Sequence, residues 1–128
     1  MQVKQLSTGL NDLAKKVHGL NVAKGFYDEQ PTKDRQIMLV VGELAEAHEA
    51  TRKGKTAHKD FVSVATGSLE ADKGDFELYV KDTEEDEIAD AVIRLLDYCG
   101  NRGIDLDAHI NLKLAYNQSR PYRHGKQF

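Results

Sequence analysis

Apolar side chains recur at intervals of three and four along most of this chain, the spacing of one face of a helix. Val3, Leu6, Leu10, Leu13 and Val17 form a first stripe, and Gly19 is placed to stop it. A loop follows over residues 21–33, with Gly25, Phe26, Tyr27 and Pro31. A second helix is predicted from about Thr32 to Arg52, capped by Thr32 or Asp34 and terminated at Gly54. Its apolar stripe is Ile37, Val41, Leu44 and His48, widened by Val40 and Ala47, and this face is expected to be core. A third helix should start near Thr83, where Thr83-Glu84-Glu85-Asp86 reads as a cap and an acidic first turn. It carries Ile88, Val92, Leu95 and Cys99, with Ala89, Ile93 and Leu96 beside them, and Gly100 and Gly103 end it. The fourth begins near Asp105, carries Leu106, Ile110 and Leu114, and ends before Pro121.

Residues 55–82 interrupt this helical pattern. Phe61-Val62-Ser63-Val64 and Phe76-Glu77-Leu78-Tyr79-Val80 alternate in part, so the stretch is expected to be a short hairpin of strands or a flap. The expectation is one all-α domain over residues 1–128, a four-helix bundle with a long insert at 55–82 and a basic tail at 120–128.

Composition narrows the function. With 40% hydrophobic and 30% charged residues, the chain can build a core and does not read as disordered. The longest apolar run is Ile37–Val41, too short to cross a bilayer. No apolar signal core follows Met1, and the single cysteine, Cys99, excludes an internal disulfide or a cysteine-based zinc cluster; both points lead to a cytoplasmic expectation. A net charge of −3 and the absence of Trp disfavour a nucleic-acid-binding face.

The charge is unevenly placed. Ten acids lie between Glu70 and Asp90, against Lys73 and Lys81, whereas residues 111–128 hold no acid but Lys113, Arg120, Arg123 and Lys126. Within the predicted helices, Glu43 and Glu46 are three apart, as are Glu87 and Asp90, so each pair projects from one helix face. Each is bordered by apolar positions, Val41 and Leu44 or Ile88 and Val92. Like charges at that spacing repel, and burying them costs far more unless something compensates. If the two helices pack antiparallel, four carboxylates converge, and a hard dication such as Mg²⁺ is the natural compensation. Either pair alone also fits a solvated helix face. Arg94 and Asp97 fall on the same face as Glu87 and Asp90 and could form an ion pair or a supporting network.

Other chemistries lack their residues. A di-iron bundle needs Glu-x-x-His, and no histidine here stands three after a glutamate. Asp72-Lys73-Gly74-Asp75 does not make a calcium loop, and no P-loop, His-Glu-x-x-His or Gly-x-Ser-x-Gly sequence is present. Cys99 lies on the apolar stripe and reads as core.

Glu43-Leu44-Ala45-Glu46 followed by Glu87-Ile88-Ala89-Asp90 resembles the Glu-x-x-Glu … Glu-x-x-Asp signature of the all-α nucleoside triphosphate pyrophosphohydrolases, which include MazG, the dimeric dUTPases and dCTP pyrophosphatase. Lys24-Gly25-Phe26-Tyr27-Asp28 and the tail Asn117-Gln118-Ser119-Arg120-Pro121-Tyr122-Arg123-His124-Gly125-Lys126 are similar to MazG-like proteins as well. The forty residues between Glu46 and Glu87 are more than that family usually has. The resemblance implies Mg²⁺, with Mn²⁺ as a substitute, held by Glu43, Glu46, Glu87 and Asp90. It implies a metal-activated water attacking the α-phosphorus of a (d)NTP, with pyrophosphate leaving. Glu43, Glu46 and Glu49 would be the catalytic acids, Glu49 orienting or deprotonating the water. Lys113, Asn117, Arg120, Arg123, His124 and Lys126 would meet phosphate or sugar, and the chain would be a homodimer or homotetramer. Two other readings stay open: a non-catalytic helical interaction module, or a hydrolase of a related nucleotide such as phosphoribosyl-ATP or an alarmone.

Overall fold

A computed structural model describes residues 6–65 and 73–125. Among them are six α-helices and no strand: α1 Leu10–Ala23, α2 Lys33–Arg52, α3 Lys59–Ala65, α4 Lys73–Tyr79, α5 Glu84–Arg102 and α6 Leu106–Ser119, followed by a 3₁₀ turn at Tyr122–Gly125. No described helix is long and apolar enough to cross a membrane. The chain folds as two compact units, one from Met1–Glu29 with Leu96–Phe128, the other from Gln30–Leu95.

The first unit joins α1 and α6 to the last turns of α5. Ala14, Leu96 and Cys99 form its core, with Leu10 and Leu106 packed against them. Its polar groups are matched reciprocally. Helix α1 starts after Gly9, which has a positive φ and no capping side chain, and Asp107 of α6 supplies the cap by accepting from Leu10 N and Asn11 N at 3.3 and 3.0 Å. In return, Asn11 Oδ1 accepts from Leu106 N and Asp107 N at 2.8 and 3.2 Å. Each helix thus satisfies backbone donors that the other would leave orphaned.

The first predicted helix is corrected at both ends. It starts at Leu10, so Leu6 lies before it, while Val3 falls outside the described residues. Gly19 does not end it, because a glycine inside a helix costs only about 1 kcal/mol. The left-handed backbone that follows the helix falls at Gly25 instead, at φ +86°. Gly100 likewise sits within α5, where it serves close approach: a Cβ there would stand 2.5 Å from the Ala14 carbonyl oxygen.

The second unit contains α2, the insert and the first turns of α5. Helix α2 matches its prediction, with Thr32 Oγ1 accepting from Arg35 N at 3.2 Å and Gly54 left-handed just beyond its end. Which face is inside differs from expectation. Gln36, Val40, Ala47 and Ala50 are buried, while Ile37, Val41, Leu44 and His48 are exposed. On α5, Glu87 and Ala91 are buried, whereas Ile88, Val92 and Leu95 are 44–47% exposed. The buried positions of the two helices are mostly small or polar residues, and the large apolar residues are left outside.

The insert is helical, which corrects the expected strands. His58 Nδ1 accepts from Phe61 N at 3.1 Å, a cap that hydropathy alternation does not reveal. Glu84 N donates to Lys55 O and His58 N to Tyr79 O, both at 3.0 Å, and Ala57 N donates to the Glu85 carboxylate. The α3–α4 pair is thus closed at its base, where the Tyr79 ring packs against His58 and Phe61.

The glycines give a paired stability test. Gly100→Ala gains about 1 kcal/mol of helix propensity. It also forces a backbone shift of the kind that costs about 1–3 kcal/mol, and the clash with backbone puts it at the upper end. Chemical denaturation should therefore show Gly100→Ala to be less stable than the parent by about 1–2 kcal/mol. Gly42→Ala, with no atom within 4 Å of the added carbon, should be more stable by up to about 1 kcal/mol.

Candidate metal centre

Glu43 on α2 is half-buried and Glu87 on α5 is buried, both near alanines, while Glu46 is exposed beside them. One carboxylate oxygen from each of Glu43, Glu46 and Glu87 lies within 4.8 Å of the others. A second such group, Asp82, Asp86 and Glu87, shares Glu87 with the first. Thr83 positions Glu87 locally: its carbonyl accepts from Glu87 N at 3.0 Å and its hydroxyl from Asp86 N at 3.3 Å, opening the helix one turn earlier. Glu87 is 5% exposed, and its Oε2 is buried with no hydrogen-bond partner.

The charges here are set by burial and by each other. Desolvation, with the Glu43 and Glu46 carboxylates beside it, pushes Glu87 up to about 8. Burial works to raise Glu43 too, but the Arg94 guanidinium and a hydrogen bond from Glu87 outweigh it, and Glu43 is held below the usual carboxylate range. Arg94 Nε donates to Glu43 Oε1 at 2.7 Å, an ion pair to α2 that the grouping of Arg94 with Asp97 did not foresee. Asp90 is raised by its burial and by the Asp86 and Glu43 charges.

The other expected site residues fall as follows. Asp90 senses the acid pair on α2 electrostatically but belongs to neither three-carboxylate group. Glu49 stands outside both and pairs at the surface with Arg52 and Lys53, at 3.5 and 3.4 Å. Lys113, Asn117 and Arg120 lie on α6 or at its end, with the Lys113 and Arg120 cations over the Tyr116 ring at 4.9 and 5.5 Å. Arg123 follows with its cation over Tyr122. These belong to the first unit, the acids to the second. His124 is described by its backbone only, and Lys126 lies outside the described residues.

One feature escaped the sequence reading: Asp82 and Asp86 join Glu87, and their signal was present, since Asp82, Asp86 and Asp90 stand four apart. Asp97, grouped with Arg94 from the sequence, forms its network within the first unit, its Oδ1 3.0 Å from His18 Nδ1 and its Oδ2 accepting from Tyr27 OH at 2.7 Å. Tyr27 therefore has a structural partner, while Phe26 is exposed.

A set of hard oxygen donors suits Mg²⁺, Mn²⁺ or Ca²⁺ rather than a soft metal. The donorless, buried oxygen of Glu87 is what a cation would satisfy, so the residues present fit a divalent ion. Without one, a proton shared among the acids is the remaining way to limit the charge. Comparison with protein-family models, with curated proteins and with solved structures finds no match to this chain.

The raised Glu87 predicts a pH response. The folded chain keeps this proton up to about 8, whereas an unfolded glutamate releases it near 4.5. The resulting stabilisation is full below 4.5 and drains away as pH rises through 8. In chelator, the denaturation midpoint should therefore carry a component that falls between pH 5 and pH 8. Glu87→Gln should remove that component. Mg²⁺ should offset the fall increasingly with pH, because a ligand carboxylate must be ionised.

Proposed function

We propose that this chain is a Mg²⁺-dependent nucleoside triphosphate pyrophosphohydrolase, converting a (d)NTP and water to the (d)NMP and pyrophosphate. The observation that carries the proposal is the buried Glu87 oxygen without a donor, set with Glu43 and Glu46 oxygens within 4.8 Å. The spacing of those acids and the tail sequence support the same reading through their likeness to the all-α pyrophosphohydrolases. A cytoplasmic role in clearing the nucleotide pool goes with it.

Glu43, Glu46 and Glu87 would hold the metal, with Asp90 close enough to add charge to the same region. When bound, Mg²⁺ would neutralise these acids, admit a polyanion and lower the pKa of a water. Arg94 fixes the Glu43 carboxylate through Oε1. Among the carboxylates, the groups able to accept the water's proton are the acids that stay ionised, and Arg94 keeps Glu43 among them. Water adds across the α–β anhydride, so its oxygen stays on the monophosphate and pyrophosphate departs. Lys113, Asn117, Arg120 and Arg123 are proposed to meet the phosphates or sugar, with His124 and Lys126 completing the basic end.

The working form is proposed to be a homo-oligomer. Ile37, Val41 and Leu44 on α2, and Ile88, Val92 and Leu95 on α5, are each 44–49% exposed at helical spacing. Association would bury these two stripes at about 25 cal/mol per Å².

Two measurements test this. A (d)NTP panel with Mg²⁺ should release pyrophosphate and no orthophosphate. Glu43→Ala and Glu87→Gln should each lower kcat/KM by about a hundredfold or more while circular dichroism keeps the helical signal. Release of orthophosphate alone would contradict the cleavage point. Sedimentation should show an oligomer for the parent and a smaller species for Ile37→Glu, whose new charge would be buried in the contact.

A further inference from the structure

An open cavity of about 810 Å³ lies between α3, α4 and the start of α5, its surface mostly apolar from residues such as Val62, Phe76, Val80 and Ala89, with the charged Lys59, Glu85 and Asp86 also lining it. Volumes of 300–1,000 Å³ with apolar walls and a few polar groups are typical of small-molecule sites. A neighbouring cavity of about 510 Å³ is lined by the charged residues Lys73, Glu77, Lys81, Asp82, Asp86 and Asp90 together with Phe76. Phe76 and Asp86 line both, so the two adjoin. Asp86 also belongs to the carboxylate group that includes Glu87, whose buried oxygen lacks a donor.

We propose that the α3–α4 hairpin is the base-recognition element of the site, its apolar cavity receiving the nucleobase of the triphosphate. The inference rests on the pyrophosphohydrolase reading and deepens it. One ligand spanning both cavities needs a flat apolar end and an anionic end that carries cations to the acids. A nucleoside triphosphate has both. A fatty acyl chain would fill the apolar cavity, but its carboxylate would meet Asp86 with one charge and no chelated cation. Phe76 lines both cavities and supplies an aromatic ring of the kind on which bases stack. The hairpin is fastened at its base by the Lys55, His58 and Glu85 bonds, so the cavity has a wall fixed to the same helix that carries Glu87.

Calorimetry with Mg²⁺ and two probes tests this without turnover: α,β-imido deoxynucleoside triphosphates of the four bases, and inorganic tripolyphosphate, which has no base. The parent should bind at least one imido nucleotide about tenfold tighter than tripolyphosphate, the scale of one stacked base. Val62→Trp, which fills the cavity, and Phe76→Ala, which removes the ring, should each bring that ratio toward one. Circular dichroism of both variants guards against misfolding, and either folded variant is sufficient. Equal binding of the two probes by the parent would overturn the base site and leave the metal-triphosphate reading standing. A ratio unchanged in the folded variants would also overturn it. Binding of neither probe would remove the pyrophosphohydrolase reading, and this inference with it.

Discussion

Burying a carboxylate is the constraint on which the second unit turns. Glu87 is almost wholly enclosed, Glu43 is largely so, and Arg94 neutralises only the latter. Moving an unpaired carboxylate out of water costs several kcal/mol even after relaxation (about that scale by continuum and experiment). The fold meets this cost with a proton or with a cation. A proton leaves one Glu87 oxygen without a donor; a divalent ion would satisfy it and discharge the neighbouring acids together. The same groups that weaken the metal-free unit therefore define where a cation gains most, and binding free energy there is also folding free energy.

That constraint also explains why the large apolar side chains of α2 and α5 face outward. The buried faces hold Glu87 and the largely buried Glu43 beside Ala47, Ala50 and Ala91, and carboxylate oxygens from the two helices meet there. Ile37, Val41 and Leu44 then occupy a face rotated away from the site. A solvated monomer leaves their burial energy unused, so the helices that place the acids also carry the surface best suited to association.

Helix boundaries set by local chemistry were legible in the sequence: Thr32 and Gly54 around α2, Asp105 before α6, and the acidic start of α5 at Thr83. The acids were legible too, because a three-residue spacing puts two side chains on one face whatever the tertiary contacts. The inner face of α2 was not. Hydropathy ranks Ile37, Val41 and Leu44 above Gln36, Glu43 and Ala47, yet the second set is the more buried. The start of α1 depended on Asp107, a residue far away in the chain, and the helical insert depended on a histidine cap and bonds to Tyr79 and Glu84. Such non-local satisfaction of backbone groups leaves no periodic trace. The sequence reading also counted Gly19 and Gly100 as stops, although one is tolerated inside its helix and the other is needed for contact with α1.

The two units differ in how their polar groups are satisfied. In the first, Asn11, Asp105, Asp107 and Asn111 exchange hydrogen bonds with helix ends, and Asp97 has both oxygens engaged. Asp105 and Asp107 are accordingly held below the usual carboxylate range, Asp105 by the Asn11 side chain and Asp107 by the Asn11 backbone N–H. Acids in the second unit are raised at Glu87 and Asp90. The carboxylates thus stand in two settings: hydrogen bonds lower Asp105 and Asp107 in the first unit, while in the second Arg94 lowers Glu43 and burial raises Glu87 and Asp90. Helix α5 is continuous through both sets, from Glu84 to Arg102, so a single element anchored by satisfied groups at one end presents unsatisfied ones at the other. A framework that is fully bonded can carry a locally costly site, because the cost of the raised acids need not be recovered where they sit.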